Sequence, residues 1–150
     1  MDTVKLLLDT SMNVNQQADN GLSPLISGCG HTAIVKLLLS HPLVDIHLKG
    51  DAGMSCLHFA CEKGNPDTVM LLLHASANVN EPNDYGYTPL MVACHENAEI
   101  VRLLLSFDYT SEFSLDSSIT NNRGVNALHV AIEQGNMDAV KLLLSSIDCT

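Results

Sequence analysis

The chain has 150 residues and carries 17 acidic against 7 basic side chains, which gives a net charge of −10. Nucleic acid is therefore disfavoured as a partner, because its phosphates are bound through lysine and arginine. No window approaches the roughly 18 uncharged apolar residues of a membrane span, and the N-terminus lacks the basic-then-apolar order of a secretory signal. The five cysteines include no Cys-x-x-Cys pair and predict a reducing, intracellular compartment, cytoplasmic or nuclear.

One short pattern recurs along the whole sequence. A run of three leucines is found at residues 6–8, 37–39, 71–73, 103–105 and 142–144. A glycine precedes each of the last four runs, at Gly21, Gly53, Gly86 and Gly124. Such a period is typical of stacked two-helix units, because each unit can bury its apolar face only against a neighbour. The sequence therefore predicts a helical solenoid.

Local signals mark where the helices of each unit begin and end. The dipeptides Ser23-Pro24 and Thr88-Pro89 favour helix starts, with a hydroxyl at the cap and proline in the first turn. Gly64 and Gly135 are suited to the turn between the two helices of a unit. In the second helix, apolar residues recur at i, i+3 and i+4, which predicts one buried stripe over residues 69–73.

These motifs resemble the ankyrin repeat. The third copy has Gly86-Tyr87-Thr88-Pro89-Leu90 followed by Ala93-Cys94, and the fourth has Val140-Lys141-Leu142-Leu143-Leu144 in its second helix. The resemblance spans essentially the whole chain. It implies an all-α solenoid of stacked helix-turn-helix repeats with β-hairpin tips, and a protein-binding surface along the tips and first helices.

We predict a single array over residues 1–150. A half repeat covers 1–17, and repeats follow at 18–49, 50–82, 83–120 and 121–150, the last one truncated. The third repeat contains an insertion at 107–118, which we expect to be a mobile loop on a face that often binds. Terminal repeats normally have polar outer faces, and these do not, so we expect end-to-end association or an array that continues.

The sequence does not favour a catalytic or metal site. His58 and Cys61 lie three residues apart, but His58 occupies the position of the family's inter-repeat hydrogen-bonding histidine. The segment Gly28-Cys29-Gly30 lacks the downstream Lys-Ser/Thr of a phosphate-binding loop. No serine or thiol has the context of a nucleophile. The prediction is a non-enzymatic protein without metal or cofactor.

The resemblance points to a binding surface on the concave side. Cations on the second helices, such as Arg102 and Lys141, follow acids three residues earlier and are expected to pair with them. The concave side is then acidic, which favours a basic protein or peptide as partner. The candidate binding residues are Asp19, Asp51, Met54, Glu62, Lys63, Asp84, Tyr85, Tyr87, His95, Glu96, Arg123 and Glu133. Tyrosine and arginine are enriched in binding hot spots; the alternative is that Tyr85 and Tyr87 only cover neighbouring hairpins.

Two hairpin residues are candidate modification sites. Asn80 matches the hairpin asparagine that an asparaginyl hydroxylase modifies in some ankyrin-like repeats, and His47 occupies the same position one repeat earlier. The alternative is that both are unmodified structural residues.

The array as a whole is either a recognition module, a spacer or intramolecular lid in a larger polypeptide, or part of an enzyme whose catalytic domain lies elsewhere.

Overall fold

The computed structural model describes Thr3 and residues 12–109 and 114–147. Within these residues it contains eight α-helices and one 3₁₀ turn, Asp51–Gly53. The helices are α1 (Pro24–Ser27), α2 (Thr32–Leu39), α3 (Cys56–Lys63), α4 (Pro66–His74), α5 (Pro89–Glu96), α6 (Ala98–Ser106), α7 (Ala127–Glu133) and α8 (Met137–Ile147). The same part of the chain has no β-strand, only an isolated antiparallel bridge between Lys49 and Ser55. Most of the half repeat predicted at 1–17, including the first leucine run, lies outside the described residues.

The helix starts follow the capping signals of the sequence. The Ser23 and Thr88 hydroxyls accept hydrogen bonds from the amides three residues later, at 3.3 and 3.4 Å, and a proline follows each. Ser55 and Asn126 cap α3 and α7 in the same way. Each such cap stabilises a helix by about 1 kcal/mol. The predicted starts at Ser23-Pro24 and Thr88-Pro89 are confirmed.

The helices form two stacked layers. Helices α1, α3, α5 and α7 contact one another in order, and α2, α4, α6 and α8 do the same beside them. The core lies between the layers, where Val69, Leu72, Val101 and Leu104 are fully buried. The stripe predicted at 69–73 is thus the buried face of α4. The all-helical solenoid expected from the repeat period is confirmed.

The turns between paired helices differ in length and in backbone conformation. Gly64 and Gly135 adopt positive φ angles of 65° and 67° after α3 and α7. In the first pair, α1 is only four residues long and Gly28 ends it. In the third pair, Asn97 both ends α5 and precedes α6. In this third pair, α5 and α6 still pack against each other.

The buried thiols are structural. Cys29, Cys61 and Cys94 occupy equivalent positions, and all three are free and buried. Cys56 is also buried, and its carbonyl oxygen lies 3.4 Å from the Cys29 sulfur, which donates to it. Burial raises the pKa of the Cys94 thiol to about 12. Thiols with raised pKa values are poor nucleophiles, which agrees with a packing role. Cys149 lies outside the described residues.

Each unit begins with a tip closed by the same two backbone hydrogen bonds. In the third tip, the Asn83 amide donates to Tyr87 and the Gly86 amide donates back to Asn83, both at 2.9 Å. The fourth tip repeats this pattern between Asn121, Gly124 and Val125. The tips are therefore hairpins closed by turn hydrogen bonds. Among the described residues, one isolated bridge, between Lys49 and Ser55, supplements these bonds.

The tip glycines differ in what surrounds them, and this difference gives a test of the stacking. A Cβ atom on Gly86 would lie 2.7 Å from the Asn122 backbone nitrogen, whereas a Cβ atom on Gly124 would meet nothing within 4 Å. Both glycines have positive φ angles, 81° and 74°. Gly124→Ala is expected to cost about 1 to 2 kcal/mol of unfolding free energy through φ alone. Gly86→Ala is expected to cost about 3 kcal/mol, because the next tip must also move. Urea unfolding measures both, and equal losses would contradict contact between these tips.

Candidate functional site

One side of the stack carries a groove that crosses the third tip and the first-layer helices. We call it the repeat groove; its volume is about 410 Å³. It is lined by Met54, Glu62, Asn83, Tyr87, Met91, Val92, His95, Glu96, Asn97 and Val130. The lining residues come from α3, α5, α7, the segments before α3 and α5, and Asn97 after α5. The groove therefore exists only because these units are stacked in register.

The floor of the repeat groove is apolar. Met91 is 1% exposed, Val130 is also buried, and Met54 and Val92 are partly exposed. Methionine side chains are flexible and polarisable, so they adapt to different apolar partners. This floor can accept an aliphatic or aromatic side chain from outside.

The rim of the groove is acidic. Glu62 lies in the last turn of α3, and His95 and Glu96 lie in the last turn of α5; all three are exposed. The His95 Nδ1 atom is 3.7 Å from the Glu96 carboxylate. No lysine or arginine is among the residues that line the groove. The charges that a ligand meets there are carboxylates.

The wall formed by Tyr87 is fixed by a histidine from the previous unit. The buried His58 donates from Nε2 to the Tyr87 carbonyl at 2.9 Å, and its Nδ1 accepts from the Ser55 amide at 3.1 Å. These two bonds assign the neutral Nε2–H tautomer. Burial lowers the pKa of His58. On the other side, the Asn83 side-chain oxygen accepts from the Tyr87 amide at 2.9 Å.

Five of the twelve candidate residues lie together in this groove: Met54, Glu62, Tyr87, His95 and Glu96. The others do not line it. Tyr85 is 62% exposed at its tip, separate from the groove that Tyr87 lines. The exposed residues outside the groove are Asp19, Asp51, Lys63, Asp84, Arg123 and Glu133.

Sequence reasoning missed the floor of the groove. Met91, Val92 and Val130 carry its apolar surface, and Asn83 and Asn97 flank them. One signal was available: Met91 stands where the second and fourth copies have histidine, His58 and His129. A large apolar residue in place of the hydrogen-bonding histidine distinguishes this unit from the second and fourth, as Ile26 does the first.

The two candidate modification residues differ in their surroundings. The Asn80 side chain donates to the Ser114 carbonyl at 2.7 Å and accepts from the Asp116 amide at 2.8 Å. Asn15 makes the same pair of bonds, to Leu43 and from Asp45, at 2.7 and 2.8 Å.

Because its side chain makes the same two bonds, Asn15 is the structural counterpart of Asn80. His47 contributes its backbone amide, which donates to the Asp45 carboxylate at 2.9 Å. The repeated Asn-Val-Asn sequence at 13–15 and 78–80 was the signal that sequence reasoning overlooked. Whether any of these residues is modified stays a prediction.

The outer charges and the insertion are only partly described. Lys141 lies 3.9 Å from Asp138, which confirms one of the i,i+3 pairs. Phe107 and Tyr109, at the start of the insertion, pack against the core. The expected mobility of residues 107–118 stays a prediction.

The described residues contain no group of three or more His, Cys, Asp or Glu side chains that could hold a metal ion. Their helices are all too short or too polar to span a bilayer.

Helices paired in two stacked layers, with every first-layer helix capped by a side chain, define a helical repeat protein. A family model described as ankyrin repeats (3 copies) matches residues 30–113 and 57–150. The chain belongs to the ankyrin repeat family. This result agrees with the resemblance found in the sequence.

Known relatives differ greatly in length. The chain is 30% identical to the ankyrin repeat protein YahD of Escherichia coli, over 95% of the chain and 72% of that protein. It is 28% identical to the ankyrin repeat protein FPV031 of Fowlpox virus, over 98% of the chain and 44% of that protein. It is 27% identical to human transient receptor potential cation channel subfamily A member 1, over 97% of the chain but 14% of that protein.

The neutral state of His58 leads to a pH-dependent stability. The unfolded histidine titrates near its ordinary value of 6.5, whereas the pKa of the folded His58 is lower. Below pH 6.5 the unfolded state binds more protons than the folded state. The unfolding free energy should therefore decrease as the pH is lowered, by up to about 1.4 kcal/mol per pH unit. Chemical unfolding at pH 7.5 to 5 measures this slope. His58→Gln is expected to flatten it, while the exposed His129→Gln keeps it. Identical slopes in both variants would exclude this role for His58.

Proposed function

We propose that the chain is a non-enzymatic binding module that recognises a basic protein or peptide through the repeat groove. Ankyrin repeats typically mediate protein–protein interaction, and the chain belongs to that family. The observation that carries the proposal is the composition of the groove, which has a volume of about 410 Å³, an apolar floor, and Glu62 and Glu96 on its rim. The net charge of −10 also favours a basic partner.

The proposed mechanism is preorganisation. Tyr87 is held from both sides, by His58 at its carbonyl and by Asn83 at its amide. A fixed wall loses little conformational entropy when a partner binds, so more of the contact energy appears as affinity. The rim carboxylates steer a basic partner to the groove and increase the association rate.

The remaining candidates have secondary roles in this proposal. Tyr85 and Arg123 are exposed on neighbouring tips and extend the contact surface beyond the groove. The buried free thiols support an intracellular location, cytoplasmic or nuclear. Hydroxylation of Asn80 or modification of His47 would act on the tip segments and leave the groove unchanged.

The alternative proposal is a structural or regulatory segment of a larger protein. The chain matches only 14% of the length of the human channel subunit. In that case the repeat groove would hold a segment of the same polypeptide, and a catalytic or transport activity would belong to other domains.

Neutralising the rim tests the proposed function. Glu62→Gln with Glu96→Gln is expected to weaken binding of a captured basic partner about tenfold, mainly through a slower association rate at low salt. The matched control is Asp67→Asn with Glu99→Gln, two exposed acids in the first turns of α4 and α6. Surface plasmon resonance at two salt concentrations measures both rates.

Equal loss in both double variants would contradict a groove-specific role. A third variant, Tyr85→Ala with Arg123→Ala, measures the contribution of the tips. If wild type captures no partner at any salt concentration, the structural alternative is favoured instead.

A second candidate role is self-association through the α7–α8 end of the stack. Ile132 is 60% exposed, whereas Cys94, at the equivalent position of the preceding unit, is 0% exposed. Leu144, on the paired helix α8, is 49% exposed. In internal units this face is covered by the next unit. We therefore propose end-to-end association of chains through it.

Sedimentation tests this role. Wild type is expected to show concentration-dependent association, and Ile132→Glu with Leu144→Glu is expected to sediment as a monomer, because buried charge is costly. The control is Leu43→Glu, at a residue 71% exposed and outside this face. A monomeric wild type, or association unchanged in the double variant, would overturn the proposal.

A further inference from the structure

A second groove lies where the insertion leaves α6. We call it the insertion groove; its volume is about 390 Å³. It is lined by Leu73, His74, Ser76, Ala77, Phe107, Asp108 and Tyr109. None of these residues lines the repeat groove. The insertion groove therefore belongs to the second layer of helices and is independent of the proposed function.

One wall of the insertion groove is aromatic. The ring centroids of His74 and Phe107 are 5.3 Å apart at an interplanar angle of 84°, and those of Phe107 and Tyr109 are 5.0 Å apart at 62°. The Tyr109 hydroxyl donates to the Leu104 carbonyl at 2.8 Å, which fixes its ring. The three rings pack edge to face, so the wall is ordered before a ligand binds.

The polar atoms of the groove are mainly acceptors. His74 Nδ1 donates to the Met70 carbonyl at 2.8 Å, so its Nε2 atom is assigned the lone pair. Asp108 is exposed in the same groove and supplies a carboxylate, and Ser76 supplies a hydroxyl. The lining residues include no lysine or arginine. The groove therefore offers negative charge and hydrogen-bond acceptors next to aromatic rings.

We propose that the insertion groove binds an arginine side chain of a partner protein. A guanidinium group is planar, carries five donors in a fixed fork and stacks on aromatic rings. It can donate to the Asp108 carboxylate and to His74 Nε2 while it lies against Phe107 or Tyr109. A lysine ammonium matches the charge but has no planar face to place on the rings.

A titration with small probes tests this site. Acetyl-arginine amide is added to the isotope-labelled chain, with acetyl-citrulline amide as the neutral isostere and acetyl-lysine amide as the charge control. Saturable NMR shifts at His74, Phe107 and Asp108 are expected, with a dissociation constant of about 1 to 10 mM for so small a ligand. Citrulline should bind about tenfold more weakly, since it lacks the charge that strengthens the hydrogen bonds. Lysine should fall between the two.

Variants separate the groove from general surface charge. Asp108→Asn is expected to weaken arginine binding about tenfold, and Asp67→Asn, at an exposed acid on α4, is expected to leave it unchanged. Equal affinity for arginine and citrulline would overturn the proposal, as would the absence of saturable shifts. Shifts at Tyr87 and Glu96 instead would place the probe in the repeat groove. That outcome would contradict this inference while supporting the proposed function.

Discussion

Side-chain amides from the turns hold the helix pairs in register. Asn97 donates to the Cys61 carbonyl at 3.0 Å, and Asn136 donates to the Cys94 carbonyl at 3.1 Å. Each bond runs from one turn to the end of the first-layer helix in the preceding unit. The described residues contain no β-strand ladder that could hold the units in register. Because buried polar groups are costly when unpaired, these bonds fix the spacing on which both grooves depend.

The register set by these bonds brings chemically different surfaces to the two layers. The first layer presents the repeat groove, where Met91 forms an apolar floor between the rim carboxylates of Glu62 and Glu96. The second layer presents the insertion groove, where Phe107 and Asp108 lie together. Both grooves lack lysine and arginine among their lining residues. Carboxylates are therefore the charged side chains in both linings, apart from the histidines His74 and His95.

The sequence predicts the units well and the sites only in part. Caps such as Thr88, the buried stripe of α4 and the glycine turn at Gly64 follow from local physics, so they could be predicted. Whether a tip residue enters the groove depends on side-chain direction, and this separates Tyr87 from Tyr85. The aromatic wall at Phe107 could not be foreseen, since it needs the neighbouring unit to be in place.

Hydrogen–deuterium exchange of the chain, alone and with a bound partner, is the sharpest test of the repeat groove as the proposed recognition surface. We expect slower exchange in residues 54–62 and 87–96 when the partner is bound, with the outer helix α6 (Ala98–Ser106) unchanged. Protection confined to α7 and α8, with the groove segments exchanging as in the free chain, would contradict it.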